Sequence, residues 1–172
     1  MTHGEQERTL PHIEGGRRAV VVTCSTRAAA GTYADRTGPL IVEALRDWGL
    51  TVREPVVVAD GAPVEAALRV AVAEGAALVI TTGGTGLTPT DRTPEATAAV
   101  VDRPVPGIAE AIRAAGVGAG VPTAMLSRGT AGLAGHTLVV NLPGSTGGVR
   151  DGLAVLQSVI AHALDQIAGG DH

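Results

Sequence analysis

The run Leu78-Val79-Ile80 carries no polar residue, and after Thr81-Thr82 it passes directly into Gly83-Gly84-Thr85-Gly86. A strand without polar alternation has to be covered on both faces, so it demands helices above and below the sheet that contains it. Ala19 to Thr23, Val52 to Val58 and Thr137 to Leu142 read the same way. Between them apolar residues recur at helical spacing: Leu40, Ile41, Ala44, Leu45 and Trp48, then Val64, Ala67, Leu68, Ala71 and Val72. A last helix follows, lined on one side by Val149, Leu153, Leu156, Ile160, Ala163, Leu164 and Ile167. Helices are also expected from Thr93 to about Val101 and from Gly107 to Ala115, a further strand from Pro122 to Leu126, and a short antiparallel excursion through Ala131 to Ala134. This alternation predicts an α/β fold, a three-layer α/β/α sandwich around a mostly parallel, mixed sheet.

Parallel strands share a direction, so the loops that leave them meet at one edge, where ligands of such sheets bind. Those loops hold Ser25-Thr26-Arg27, Asp60, the segment from Gly83 to Asp91, Ser127-Arg128 and Pro143-Gly144-Ser145. Gly83, Gly84 and Gly86, with Thr85 among them, can adopt positive φ and let main-chain amides approach an anion, which points to a phosphorylated ligand. Thr93-Pro94-Glu95 reads as an N-cap, a proline at the first helical position and an acid in the first turn. Ser145 or Thr146 caps the last helix, whose glycine-flanked N-terminus also suits a phosphate.

The familiar phosphate loops are excluded. From Gly84 the pattern is G-x-G-x-x-P, not a dinucleotide fingerprint, and a Walker loop needs a lysine where this chain has none. All 13 basic residues are arginine, and against 17 acids they leave a net charge of −4, so an anionic ligand has to be met locally. With no Phe, one Trp and one Tyr, base stacking on nucleic acid is not expected. The lone Cys24 reads as a small buried hydrophobe, and five histidines without HxH or HExxH spacing offer no zinc site.

Asp60 and Asp91 are the two acids of these loops without an evident partner nearby in sequence. Two carboxylates near phosphates suit Mg²⁺, which prefers hard oxygen ligands. An Asp-Gly turn for Asp60 and a loop hydrogen bond for Asp91 are the alternatives. Residues 1–16 are polar and lack an apolar core, so a disordered tail, no secretory signal, no membrane span and a cytoplasmic setting are expected.

The eighteen residues from Leu78 to Glu95 and the string Asn141-Leu142-Pro143-Gly144-Ser145 resemble the signatures of the Mog/MoaB family of molybdenum cofactor biosynthesis, of the actinobacterial Mog type. The likeness runs from about Ala19 onward and implies a single molybdopterin-binding-like domain over 17–170. It further implies transfer of AMP from Mg·ATP to the molybdopterin phosphate, with Asp60 and Asp91 tied to that chemistry and to Mg²⁺. Ser25, Thr26, Gly83, Gly84, Thr85, Gly86, Ser127, Arg128, Pro143, Gly144 and Ser145 would then bind substrate, Arg128 as a phosphate contact. The family's proline and lysine after Ser145 are here Thr146 and Gly147-Gly148, and Arg150 is the nearby substitute cation. A homotrimer and a downstream molybdenum-insertion partner are implied as well. A non-catalytic molybdopterin-binding protein and a nucleotide pyrophosphatase on the same domain remain alternative readings.

Overall fold

Strands β1 (Arg18–Cys24), β4 (Leu78–Thr82) and β7 (Thr137–Leu142) lie side by side and parallel at the centre of the sheet. They belong to a computed structural model that describes residues 10–170. Beyond β1 lie β2 (Thr51–Val52) and β3 (Val56–Val58), both parallel to it; beyond β7 lie β6 (Ala131–Ala134) and β5 (Arg103–Pro104), both paired antiparallel. The sheet is therefore mixed, in the order β2-β1-β4-β7-β6-β5 with β3 also on β1.

Alternate residues of the central strands feed two separate cores, as the period of two requires. Val21, Leu78, Ile80, Leu138, Val140 and Leu142 point to one side. There they meet α2 (Thr37–Asp47), α5 (Pro106–Gly118), α6 (Thr146–Gln157) and α7 (Ile160–Ile167) through Ile41, Leu45, Trp48, Ile112, Leu153 and Ile160. Val22, Val79 and Val139 point to the other, against Val64 and Leu68 of α3 (Ala62–Ala73) and Ala96 of α4 (Thr93–Ala98). Helix α1 (Thr26–Ala29) is a single turn after β1.

Four local expectations are corrected. The expected strand from Val52 to Val58 is interrupted at Pro55, which has no N–H for a ladder. Pro122–Leu126 is a 3-10 helix, not a strand; Ala124 N–H donates to Val121 O at 3.0 Å, and an added Cβ on Gly116 of α5 would lie 2.6 Å from Ala124 Cβ. That missing side chain lets the turn seat against α5. The last helix is two, because the Ser158 hydroxyl and N–H both turn back to Val155 O, at 2.7 and 3.2 Å. The expected tail does not reach Gly16: Ile13 is buried, and its N–H donates to Trp48 O at 3.0 Å. Residues 1–9, the rest of that expectation, lie outside the described residues.

Arg17, just before β1, pairs with Asp165 of α7 at 2.8 Å, and Arg18, its first residue, with Glu74 at the end of α3 at 3.1 Å. Among the described residues no helix is long and apolar enough to cross a membrane.

Candidate functional site

The carboxyl ends of β4 and β7 are joined by their glycines. Gly83 N–H donates to Leu142 O at 3.2 Å, and a Cβ on Gly144 would lie 3.3 Å from Gly83 Cα. Thr82 Oγ1 donates to Pro143 O at 2.8 Å. The two glycine turns thus form one ridge at the sheet edge. Gly83 takes φ +90°, and a Cβ there would stand 2.5 Å from Cys24 O, so only glycine fits.

A cavity opens on each side of the ridge. The larger, about 560 Å³, is lined by Gly84, Thr85, Gly86, Asp91, Ser127, Pro143, Gly144 and Ser145 of the expected site, with apolar wall from Ile112, Val121 and Leu126. The smaller, about 400 Å³, is lined by Ser25, Thr82, Gly83, Gly144 and Ser145. Gly144 and Ser145 belong to both. Ser145 Oγ accepts from Gly148 N–H at 3.1 Å and Ser25 Oγ from Ala28 N–H at 3.2 Å, so both serines cap helices, as expected for Ser145.

Asp60 and Asp91 flank the segment Gly84 to Gly86. Asp60 Oδ2 accepts from Thr26 N–H at 3.2 Å and Thr26 Oγ1 at 3.0 Å, while Oδ1 lies 3.1 Å from where a Cβ on Gly84 would stand. Thr26 therefore holds Asp60 across 34 residues, and the carboxylate is not spent on the Asp-Gly turn. Asp91 Oδ2 accepts from Thr88 N–H at 3.2 Å and lies 2.7 Å from the Cβ position of Gly86. The loop bond expected for Asp91 exists, yet Oδ1 of both acids has no hydrogen-bond partner among the described residues. Each acid thus keeps one hard oxygen of the kind Mg²⁺ prefers, but only Asp91 lines the larger cavity, while Asp60 lines neither.

The turn is held from below and from outside. Thr93 N–H donates to Gly84 O at 3.1 Å and Thr93 Oγ1 to Gly83 O at 2.9 Å, so Thr93 is fully buried under the turn and does not act as the expected N-cap. From outside comes Arg128. Its main-chain N–H donates to Thr85 O at 2.8 Å, Nε to Gly86 O at 2.8 Å, Nη2 to Asp91 O at 2.7 Å and Nη1 to Glu95 Oε1 at 2.5 Å. The expected phosphate contact is a clamp, and Arg128 lines neither cavity. Its guanidinium holds the Glu95 carboxyl below the ordinary carboxylate range.

Arg150 is exposed and lines neither cavity. The cation in the larger one is Arg113 of α5, whose Nη1 donates to Gly129 O at 2.8 Å, and Asp151 of α6 lines the same cavity with no hydrogen bond or ion pair among the described residues. Sequence reading missed both, since each lies on a helix several elements from the glycine loop; only the inward face of α5 beside Ile112 hinted at Arg113. Asn141, at the head of the NLPGS string, is structural: its Nδ2 donates to Thr81 Oγ1 and Thr97 Oγ1, both at 2.9 Å, and its Oδ1 accepts from Thr130 N–H at 3.1 Å. Burial, as the chief cause, pushes the Cys24 thiol up to about 12, which leaves it inert as a nucleophile.

The fold is thus a mixed α/β/α domain whose sheet edge carries two adjoining cavities across a glycine ridge. The chain belongs to the family described as "Probable molybdopterin binding domain", which matches residues 20–162. It is 46% identical over 155 residues to a molybdenum cofactor biosynthesis bifunctional protein of Synechococcus elongatus, covering 90% of this chain and 48% of that protein. The chain thus spans about half the length of that relative. A molybdopterin adenylyltransferase of Helicobacter pylori is 36% identical, over 87% of this chain and 86% of its own. The solved molybdopterin biosynthesis Mog protein from Mycobacterium ulcerans superposes with a TM-score of 0.84 at 57% identity, over 88% of this chain and 99% of that one. The Mog/MoaB resemblance and the α/β fold expected from sequence are both borne out.

Proposed function

We propose that this protein is a molybdopterin adenylyltransferase, transferring AMP from Mg·ATP to the terminal phosphate of molybdopterin. The observation that carries the reading is the ridge of Gly83 and Gly144 between two cavities, with the carboxylates of Asp60 and Asp91 at the two ends of the Gly84 to Gly86 segment. Two substrates between which an adenylyl group passes need adjoining sites and one shared wall of amide donors. A phosphate oxygen of the pterin attacks the α-phosphorus, the bond to the bridging oxygen of the β-phosphate breaks, and pyrophosphate leaves with the electron pair.

The larger cavity suits the pterin. Its apolar wall matches a ring, and the unpartnered Asp151 can accept from the adjacent amino and N3–H donors of a pterin edge, with Arg113 beside it as the cation. Ser127 and the amides from Gly84 to Gly86 face the same space. The carboxylates of Asp60 and Asp91 would hold the Mg²⁺ of Mg·ATP, which would neutralise phosphate charge. A cytoplasmic homotrimer that passes its product to a molybdenum-insertion protein completes the proposal, and light scattering giving only a monomer mass at micromolar concentration would remove its oligomeric part.

Incubation of the purified protein with molybdopterin, ATP and Mg²⁺ tests the reading. An adenylylated pterin with stoichiometric pyrophosphate is expected. Pterin binding without adenylylation would point to a binding protein, and pyrophosphate release without pterin to a pyrophosphatase.

A further inference from the structure

The smaller cavity contains a charged cluster that the glycine ridge and the two acids do not use. Arg27, Tyr33 and Arg36 line its wall. The Arg27 guanidinium carbon sits over the Tyr33 ring, 5.1 Å from its centroid, and that of Arg36 sits over it at 5.9 Å. Tyr33 is the chain's one tyrosine and is half exposed. Two guanidinium groups gathered beside one ring repel each other, and the negative face of the ring offsets part of that repulsion while limiting where they go.

Neither cation is neutralised. Arg17, Arg18, Arg46, Arg69 and Arg128 each lie within 3.2 Å of a carboxylate, whereas Arg27 and Arg36 form no ion pair or side-chain hydrogen bond among the described residues. The one acid lining this cavity, Asp35, has both oxygens engaged, accepting from Thr23 Oγ1 at 2.7 Å and Gly38 N–H at 2.9 Å. Bonds to neutral donors leave Asp35 charged, so in a chain of net charge −4 this cavity wall sets two guanidinium groups against one carboxylate, a local positive excess. At its inner end the same cavity is bounded by Gly83, Gly144 and Ser145 of the ridge. A ligand reacting at the ridge and extending along this cavity meets the two guanidinium groups with its trailing part. That part has to carry more than one negative charge.

We infer that Arg27 and Arg36, racked on Tyr33, form a subsite for the β- and γ-phosphates of the nucleotide and for the pyrophosphate that leaves. The inference rests on the adenylyltransferase reading and adds the binding determinant for the leaving group. As the bond between the α-phosphorus and the bridging oxygen breaks, the negative charge that develops on pyrophosphate falls on the side where both cations stand. The pair therefore sets preference for triphosphate over monophosphate and governs product release.

Calorimetric titration with pyrophosphate, ATP and AMP, each with Mg²⁺, tests this on wild type, on the R27Q/R36Q double variant, on R36Q and on R36K. Pyrophosphate and ATP should bind the double variant at least about 30-fold more weakly, the scale of two lost charge-assisted contacts, with AMP changed by no more than about twofold. R36K should recover part of the loss that a single R36Q shows, and all variants should melt with wild type because both side chains are exposed. Wild-type protein that does not bind pyrophosphate, unchanged pyrophosphate affinity in the double variant, or equal loss for AMP and pyrophosphate would each overturn the subsite. Arginine-dependent pyrophosphate binding without any AMP or ATP binding would leave the polyanion site standing and instead remove the adenylyltransferase reading.

Discussion

Arg128 Nη2 donates to the main-chain carbonyl of Asp91 at 2.7 Å, so the arginine holds the backbone of the acid and makes no bond to its carboxylate. With its bonds to Gly86 O and Glu95, it braces both ends of a loop whose outer residues, Leu87 among them at 65% exposure, have no packing of their own. Arg128→Ala should lower stability by about 1–3 kcal/mol through the lost hydrogen bonds. Adenylylation should fall at least about tenfold, because a reacting group displaced by an ångström loses its alignment. Arg128→Lys should rescue little of the activity, since one ammonium cannot copy a fork that spans three acceptors. Urea melts beside single-turnover assays check both.

The Arg128–Glu95 pair gives the clamp a pH dependence. Glu95 is held below its ordinary value in the folded protein, first by the hydrogen bond from Arg128, so its contribution is complete above the unfolded carboxylate value of about 4.3 and is lost as pH falls through the lower folded value. Stability measured from pH 8 to 5 should be the same for wild type and Glu95→Gln apart from a constant offset, and the two curves should converge only below about pH 4. The offset should be under about 1 kcal/mol, because both side chains are more than a third exposed.

Asn substitutions separate charge from shape at the two acids. Asp60→Asn and Asp91→Asn retain an acceptor for Thr26 and Thr88, so each should cost no more than about 1 kcal/mol in stability. Each should lower kcat of adenylyl transfer by about 100-fold or more, the effect of one lost electrostatic stabiliser, with molybdopterin affinity retained. Near wild-type turnover in both variants would contradict the mechanism.

Gly84→Ala bears on the fold and on the ligand site together. Gly84 takes φ +67°, and its missing Cβ points under the turn at Thr93 Oγ1 and Asp60 Oδ1, not into a cavity. The substitution should therefore lower both stability, by about 1–2 kcal/mol from the left-handed backbone alone, and activity, by shifting Asp60. Thermal melts and turnover should fall together.

Asn141→Ala should be the most destabilising of these changes. It would strand the buried hydroxyls of Thr81 and Thr97 and the N–H of Thr130 without their present partner, at about 1–3 kcal/mol for each group left unsatisfied. Asn141→Asp should be nearly as costly, because a carboxylate has no donors for Thr81 and Thr97 and would be buried. Denaturant midpoints for the two variants provide the check.

The order of strands and helices was legible because local pattern decides it: unbroken aliphatic runs, helical spacing and glycine stops report burial that neighbours in sequence share. The edge that carries the site followed from the same fact, since parallel strands send their exits one way. Of the loops it named, Gly84, Thr85, Gly86, Asp91, Pro143, Gly144 and Ser145 line one cavity. Sequence alone also excluded a lysine mechanism and an internal disulfide, for want of the residues.

What partner each polar group takes was decided only by the tertiary structure. Arg128 looked like a free cation in sequence because the loop it clamps lies about 40 residues away, joined by hydrogen bonds of |i−j| 33 to 42. Thr93 looked like a cap because nothing local shows that Gly83 and Gly84 fold back over it. Arg113 and Asp151 entered the larger cavity through the packing of α5 against α6, and Arg27 and Arg36 met at Tyr33 through the path of one loop. Hydrophobic burial is set by periodicity along the chain, whereas the pairing of charges depends on distances between segments that only the folded packing brings together.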